Sequence, residues 1–320
     1  MSNITSSNRS LKNYFVLGMK GLSMGAADVV PGVSGGTIAF ITGIYEELIS
    51  SLSNINFGAL KKLKKEGLKS AWKYINGNFF VALFLGIFIS VFSLAKLVTY
   101  LLDQYPVFLW SFFFGLIVAS FVLVAKRITK WNLSAILALI VGAIIAGYIS
   151  SLTATATGED LWYIFISGAI AICAMILPGI SGAFILVLLG SYHSIMTGIK
   201  TLDIKIVTVF LAGCVVGLLS FSKLLNYLFN NFKQLVLALL SGFLLGSLIK
   251  IWPWKNKVGD VPIVIHSDGR EEFMMGNVLP VDFNGEPLLL NAILFALFGL
   301  LLVLVIDWLG NRLNPAQHVN

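Results

Sequence analysis

Six stretches of the chain run apolar with almost no interruption, at 79–102, 107–125, 133–150, 206–229, 235–252 and 288–309. Each is close to the ~20 residues that a helix needs to cross the hydrocarbon of a bilayer, so the pattern predicts six full crossings. Two further apolar stretches, 14–53 and 161–199, behave differently. Each is long enough to enter a membrane, yet each breaks on a Pro-Gly step, Pro31-Gly32 in the first and Pro178-Gly179 in the second. Such a step frees backbone groups that lipid cannot satisfy, so the break must face protein or a wet cavity. Both stretches are predicted as re-entrant hairpins of broken helix. The first also holds an acid, Asp28, and an intramembrane carboxylate costs roughly 2.5–3.5 kcal/mol on insertion scales.

The two breaks are copies of one another. "VVPGVSGGTIAFITGIYEELI" aligns with "ILPGISGAFILVLLGSYHSIM" at an offset of 147, which pairs Ser34 with Ser181, Gly35 with Gly182 and Tyr45 with Tyr192. The match continues at an offset of 127, where "SLAKLVTYLL" (93–102) faces "SFSKLLNYLF" (220–229), and Lys96 pairs with Lys223. Further on, Ala135-Ile136-Leu137 and Gly142 match Ala292-Ile293-Leu294 and Gly299. The chain therefore divides into two repeats, 1–152 and 153–320. Each is one re-entrant hairpin plus three membrane helices, in an all-α polytopic fold. The first repeat adds a basic loop at 54–77 and the second a polar loop at 253–287. Three crossings is an odd number, so the second repeat is expected to be inverted relative to the first.

Composition agrees and sets the orientation. The chain of 320 residues is 58% hydrophobic and only 12% charged, with mean hydropathy +0.90, too little polar surface for a soluble domain of this size. With the N-terminus inside, thirteen of the 22 Lys and Arg fall on cytoplasmic segments, six on external ones and three within the membrane. That bias follows the positive-inside rule, and it puts both termini in the cytoplasm and the loop at 253–287 outside. The net charge of +7 thus reads as orientation, with no nucleic-acid partner implied. The lysine-rich "LKKLKKEGLKSAWKYI" (60–75) has apolar residues at helical spacing. It reads as an orienting loop, or as an interfacial helix on anionic lipid worth about 1 kcal/mol per lysine near the surface. No small-residue cleavage site follows the polar N-terminal residues, so no cleaved signal is expected. Cys173 and Cys214 lie in apolar segments and read as packing residues.

The candidate chemistry sits at the breaks. After Pro31 and Gly32 as hinge, Ser34 is placed to cap a new half-helix whose Gly35, Gly36 and Thr37 carry the first N–H groups. A helix start of this kind attracts an anion. Pro178, Gly179, Ser181 and Gly182 repeat the arrangement, and two half-helix starts near the midplane are the substrate-site pattern of inverted-repeat transporters. The plainer reading is a pair of kinks made for packing. Lys96 and Lys223 are candidate cationic stations for an anionic headgroup, or else snorkel to the interface. Asp28, whose repeat partner is Met175, is a candidate charge partner for Lys20 or Lys223, or a carrier of a coupling proton. Glu46 is a second candidate of that kind, with His193 in its place in the other repeat.

Gly-x-Ser-Gly occurs at both breaks, as it does in intramembrane serine hydrolases. Such an enzyme needs a histidine beside the serine, and only His193, His266 and His318 exist. A duplicated serine with an unduplicated base favours binding over catalysis. A small-anion transporter or channel stays open as the other alternative. No metal site or cofactor is expected, and the oligomeric state is left open.

The block "MGAADVVPGVSGGTIAFITGIYEELI" (24–49), the repeated "LPGISG" and the order of apolar segments resemble a bacterial family of undecaprenyl-phosphate (polyprenyl-phosphate) transporters. The resemblance covers nearly the whole chain. It implies a flippase in the cytoplasmic membrane that returns the carrier lipid phosphate from the outer to the inner leaflet for cell-envelope polymer synthesis. Many members of that family have a basic residue after the Tyr-Glu step, where this chain has Glu47.

Overall fold

The computed structural model describes residues 9–29, 34–152, 160–265 and 271–313. The hinge residues Pro31 and Gly32 lie outside the described residues, whereas Pro178 and Gly179 lie within them. The first hairpin is α1 (Leu11–Asp28), α2 (Gly35–Ile41) and α3 (Tyr45–Ser53). Two short helices, α4 (Phe57–Glu66) and α5 (Leu68–Tyr74), fill the basic loop. Then come α6 (Gly77–Ser93), α7 (Ala95–Gln104), α8 (Pro106–Ala125) and α9 (Leu133–Ser151). The second hairpin is α10 (Leu161–Ile176), α11 (Gly182–Leu188) and α12 (Tyr192–Lys200). It is followed by α13 (Ile204–Ser247), a β-hairpin of β1 (Lys255–Ile265) and β2 (Glu271–Asn277), and α14 (Leu289–Leu313). Among the described residues, four helices are long and apolar enough to cross a membrane, or up to six if each bent pair is one span. Large apolar side chains such as Phe88, Phe92, Ile144 and Leu290 are exposed, which only hydrocarbon can cover. This is a multi-pass membrane protein.

Two boundaries differ from the sequence expectation. The stretch expected as one helix at 79–102 is divided at Leu94 into α6 and α7, and the pair expected at 206–229 and 235–252 is one hydrogen-bonded run, α13. That run still changes direction at Phe232, whose φ of −134° and ψ of 38° are not helical. Its repeat counterpart, Tyr105 between α7 and α8, has φ −135° and ψ 49°. The rings match as well. Tyr100 and Tyr105 lie 6.3 Å apart and Tyr227 and Phe232 6.5 Å apart, at nearly the same interplanar angle. The turn after each half-helix is also duplicated: Gly43 has φ +73° and Gly190 φ +67°. The following amides donate to the equivalent carbonyls, Ile44 to Ala39 and Ser191 to Leu186, both at 3.0 Å.

Packing repeats in the same register, and it interlocks the two repeats. Apolar helices in lipid gain little from burial, so close approach at small residues holds them together. Within each repeat the hairpin packs on the next helix through paired glycines. Gly21 lies under the Leu83 carbonyl and Gly86 under that of Gly18; Gly168 lies under Phe210 and Gly213 under Phe165. Across the repeats, α8 packs on α14 through Gly115 under Ala296 and Gly299 under Phe112. At equivalent positions α13 packs on α9 through Gly242 under Leu139 and Gly142 under Leu239. Each repeat thus lends a helix to the other. Cys173 and Cys214 sit in the α10–α13 contact, their thiols facing the carbonyls of Gly217 and Gly168.

The loop at 253–287 contains a structure that its polarity did not announce. The β-hairpin is antiparallel, with irregular register near Pro262. Trp254 and Val107 pack together at its base, with Trp252 and Phe283 against them. Lys255 folds back over the Trp110 ring at 3.8 Å from its centroid. In the loop of the first repeat, α4 and α5 expose Phe57, Leu60, Leu63, Leu68 and Trp72 beside their lysines.

Gly115→Ala and Gly242→Ala each drive a methyl into a backbone carbonyl of the other repeat and should each cost more than ~2 kcal/mol. Gly147→Ala, whose new methyl meets only the flexible end of Ile249 at 3.2 Å, should cost under ~1 kcal/mol. Thermal unfolding in detergent, followed by loss of the monodisperse species, checks the order.

Candidate functional site

The two chain breaks meet. Ser34 is extended (φ −127°, ψ 138°) and caps α2, its Oγ accepting from the Gly36 N–H at 3.1 Å. The same hydroxyl donates to the Met175 carbonyl, 2.8 Å away in the last turn of α10. In return the Gly179 N–H of the second break donates to Thr37 Oγ1 at 2.8 Å. Two hydrogen bonds therefore cross between the repeats, one in each direction, and they join the residues that the Pro-Gly steps leave without helical partners. Ser34 and Thr37 are fully buried. An unmade bond here would cost the desolvation of the group, about 1–3 kcal/mol.

The approach depends on missing side chains. A Cβ on Gly36 would collide with the Ile176 carbonyl. One on Gly179, which has φ +82°, would stand 2.7 Å from the Phe243 carbonyl. Gly182 is pressed on the Ala171 carbonyl in the same way, at 2.7 Å. Ser181 caps α11 by accepting from the Phe184 N–H at 3.4 Å and is 8% exposed, against 1% for Ser34. The second cap is the looser and more open of the two.

Asp28 ends α1 and turns its carboxylate onto the start of α2, where Oδ1 accepts from the Gly35 N–H at 2.6 Å. A carboxylate at a helix start is charge-assisted by the free N–H groups. Here the protein's own anion occupies the position that the sequence suggested for a ligand. Lys20 is not its partner: the ammonium donates to the Thr42 carbonyl at 2.7 Å, at the far end of α2. Lys96 and Lys223 are exposed on α7 and α13, and neither hydrogen-bonds to the Ser34–Thr37 or Ser181 groups among the described residues.

The turn after the first half-helix carries its own charges. Glu46 pairs with Lys233 of α13 at 3.0 Å. Glu47 takes both guanidinium nitrogens of Arg9 and also the Asn76 amide at 2.8 Å, so its charge is matched from the N-terminal segment. His193, the only histidine among the described residues, is exposed, and the Ser181 hydroxyl is engaged with Phe184. Sequence reasoning singled out the two serines and Asp28. It did not find the crossing from Thr37 to Gly179, nor the place of Lys20 and Arg127 at the α2–α3 turn. Thr37 had a visible signal as a polar residue at the third position of a seven-residue half-helix, but its partner is 142 residues away.

Residues 24–264 match a family described as undecaprenyl phosphate translocase-like (VCA0040-like). A polyprenyl-phosphate transporter of Vibrio cholerae is 48% identical over 272 residues, 85% of this chain and 87% of the relative. A polyprenyl-phosphate transporter of Staphylococcus aureus is 31% identical over 253 residues, 73% of this chain and 85% of the relative. No solved structure matches.

Thr37→Val keeps the shape of the side chain and leaves the Gly179 N–H buried without an acceptor, so it should destabilise the protein by about 1–3 kcal/mol. Thr37→Ser, which keeps the oxygen, should recover most of that loss. Equal unfolding midpoints for the valine and serine variants would count against the crossing bond.

Proposed function

The chain belongs to the undecaprenyl phosphate translocase-like family, and from that premise we propose that it carries undecaprenyl phosphate, or a close polyprenyl phosphate, from the outer to the inner leaflet of the bacterial cytoplasmic membrane. The lipid so returned is reused in cell-envelope polymer synthesis. The protein works as a flippase with no covalent step. The observation that carries this reading is the meeting of two chain breaks, one from each repeat, joined by the bonds from Ser34 to Met175 and from Gly179 to Thr37.

A polyprenyl phosphate has a small anionic head and a tail too apolar to leave the bilayer. Its carrier need shield only the head. Half-helix N–H groups and hydroxyls serve this purpose without a fixed charge deep in lipid. Ser34, Gly35, Gly36 and Thr37 of one break and Ser181 and Gly182 of the other are the proposed phosphate contacts, with Pro31-Gly32 and Pro178-Gly179 as hinges. Asp28 holds the Gly35 N–H when no phosphate is there and gives it up when one arrives. Lys96 and Lys223, exposed at equivalent positions, attract the head on its way in. Glu46, paired with Lys233 across the repeats, is the proposed charge partner that changes with conformation. The two repeats, 1–152 and 153–320, are inverted in the membrane with both termini in the cytoplasm. The exposed apolar and lysine faces of α4 and α5 rest on anionic lipid.

Reconstituted protein should move a fluorescent polyprenyl phosphate between leaflets, and Ser34→Val, Gly35→Val or Ser181→Val should each slow that movement more than ~10-fold, a loss of about 1.4 kcal/mol in the barrier. Flux of phosphate or chloride without lipid movement would replace this reading with the small-anion one. For the topology, Lys65→Cys and Val258→Cys, in a background without Cys173 and Cys214, should label from opposite sides of the membrane. Labelling from one side would end the inverted arrangement.

A further inference from the structure

Four cations and two carboxylates gather around the turn between α2 and α3, and their pairing is unequal. Arg9 takes both oxygens of Glu47, and Lys233 takes Glu46. Lys20 and Arg127 remain. The Lys20 ammonium rests on the Thr42 carbonyl at 2.7 Å. Its charged neighbours are Arg9, Glu47 and Arg127, and the one acid among them is already committed to Arg9. Arg127, at the end of α8, brings a guanidinium nitrogen to 3.9 Å from where a side chain on Gly43 would begin. Among the described residues its guanidinium has no hydrogen-bond or ion-pair partner, although the residue is only half-exposed. The adjacent residues Thr42 and Gly43 thus each have a cation beside them, one from α1 and one from the chain just after α8, and among the described residues this cluster keeps a net charge of about +2. A single lysine would suffice to cap the carbonyl end of α2. The second cation is beyond what capping requires.

We propose that Lys20 and Arg127, with the glycine turn at Gly43 between them, form a binding station for a phosphate monoester dianion at the mouth of the first hairpin. Arginine and lysine play different parts here. The guanidinium offers a planar fork to two phosphate oxygens, while the ammonium is a compact point charge. Gly43 has no side chain to fill the gap, and its φ of +73° keeps it a position that other residues take with strain. The proposal rests on the reading of the protein as a polyprenyl-phosphate carrier. It adds the place where the head waits on the cytoplasmic side of the membrane, apart from the buried groups at the two breaks.

The test is binding to the purified full-length protein in detergent micelles, with farnesyl phosphate as one probe and inorganic phosphate as the other. Arg127→Gln should weaken farnesyl phosphate binding about 10-fold, and Lys20→Gln with Arg127→Gln should weaken it further, while Arg127→Lys, which keeps the charge and loses the fork, should fall between Arg127→Gln and the wild type. If the double variant does not fold, Arg127→Gln alone decides, since that side chain has no partner to lose among the described residues. A similar loss for inorganic phosphate supports the same station with the head as the recognised element; a loss confined to farnesyl phosphate supports it with the lipid as the occupant. Unchanged binding of both probes by Arg127→Gln and by any folded double variant, while the wild type moves lipid between leaflets, would overturn the station and leave the transport reading intact. A wild type that moves no lipid but loses phosphate binding in these variants would do the reverse.

Discussion

A backbone break inside a membrane has to find partners within the protein, because hydrocarbon offers none and each unmade bond costs several kcal/mol. This chain makes two such breaks and satisfies each with the other. Ser34 reaches the last turn of α10, and Thr37 receives the amide of Gly179. From this constraint Gly36 follows, since a side chain there would strike the Ile176 carbonyl of the other break, while Gly179 and Gly182 let the second break press on α13 and α10. The exchange of helices follows it too. With α8 seated on α14 and α9 on α13, the repeats cannot separate without opening four glycine-lined contacts, so the breaks stay in register.

The same constraint explains how a polar site persists in an apolar chain. The groups at the breaks are held by capping and crossing bonds within the protein. Asp28 joins them, its carboxylate accepting from the first N–H of α2. Apart from Asp28, the charged pairs of this hairpin are kept at the turn. Glu46, Glu47, Arg9 and Lys233 pair around the α2–α3 turn, at the opposite end of the half-helix. The turn is thus the charged end of the half-helix, and the break the end lined by N–H groups and hydroxyls.

Much of the fold was legible because the repeat preserves residues with backbone roles. Gly43 and Gly190, Ser34 and Ser181, and Tyr100 and Tyr227 are repeat partners, and the structure uses each pair in the same way. Ser34 as a cap was legible from the capping rule alone. The helix exchange was not. In α8, α9 and α14 the face toward protein and the face toward lipid are both apolar, so no period marks the partner. Gly115, Gly142, Gly242 and Gly299 carried the only sign. The β-hairpin was hidden by its polarity, since Lys257 to Asp260 of β1 are exposed and the hairpin is held at its base by Trp252 and Trp254. The position of Lys20 was missed for a different reason: opposite charges in one segment suggested a pair with Asp28, and the hairpin instead carries the lysine to Thr42.

The central claim is that the two breaks act as one site. A double-mutant cycle on lipid translocation by the reconstituted protein tests it most directly, using Ser34→Ala, Ser181→Ala and the two together. Side chains serving one site are coupled, so the double variant should be no slower than about twofold below the worse single variant. Rate losses that multiply would mean that each break works alone, and would contradict the account.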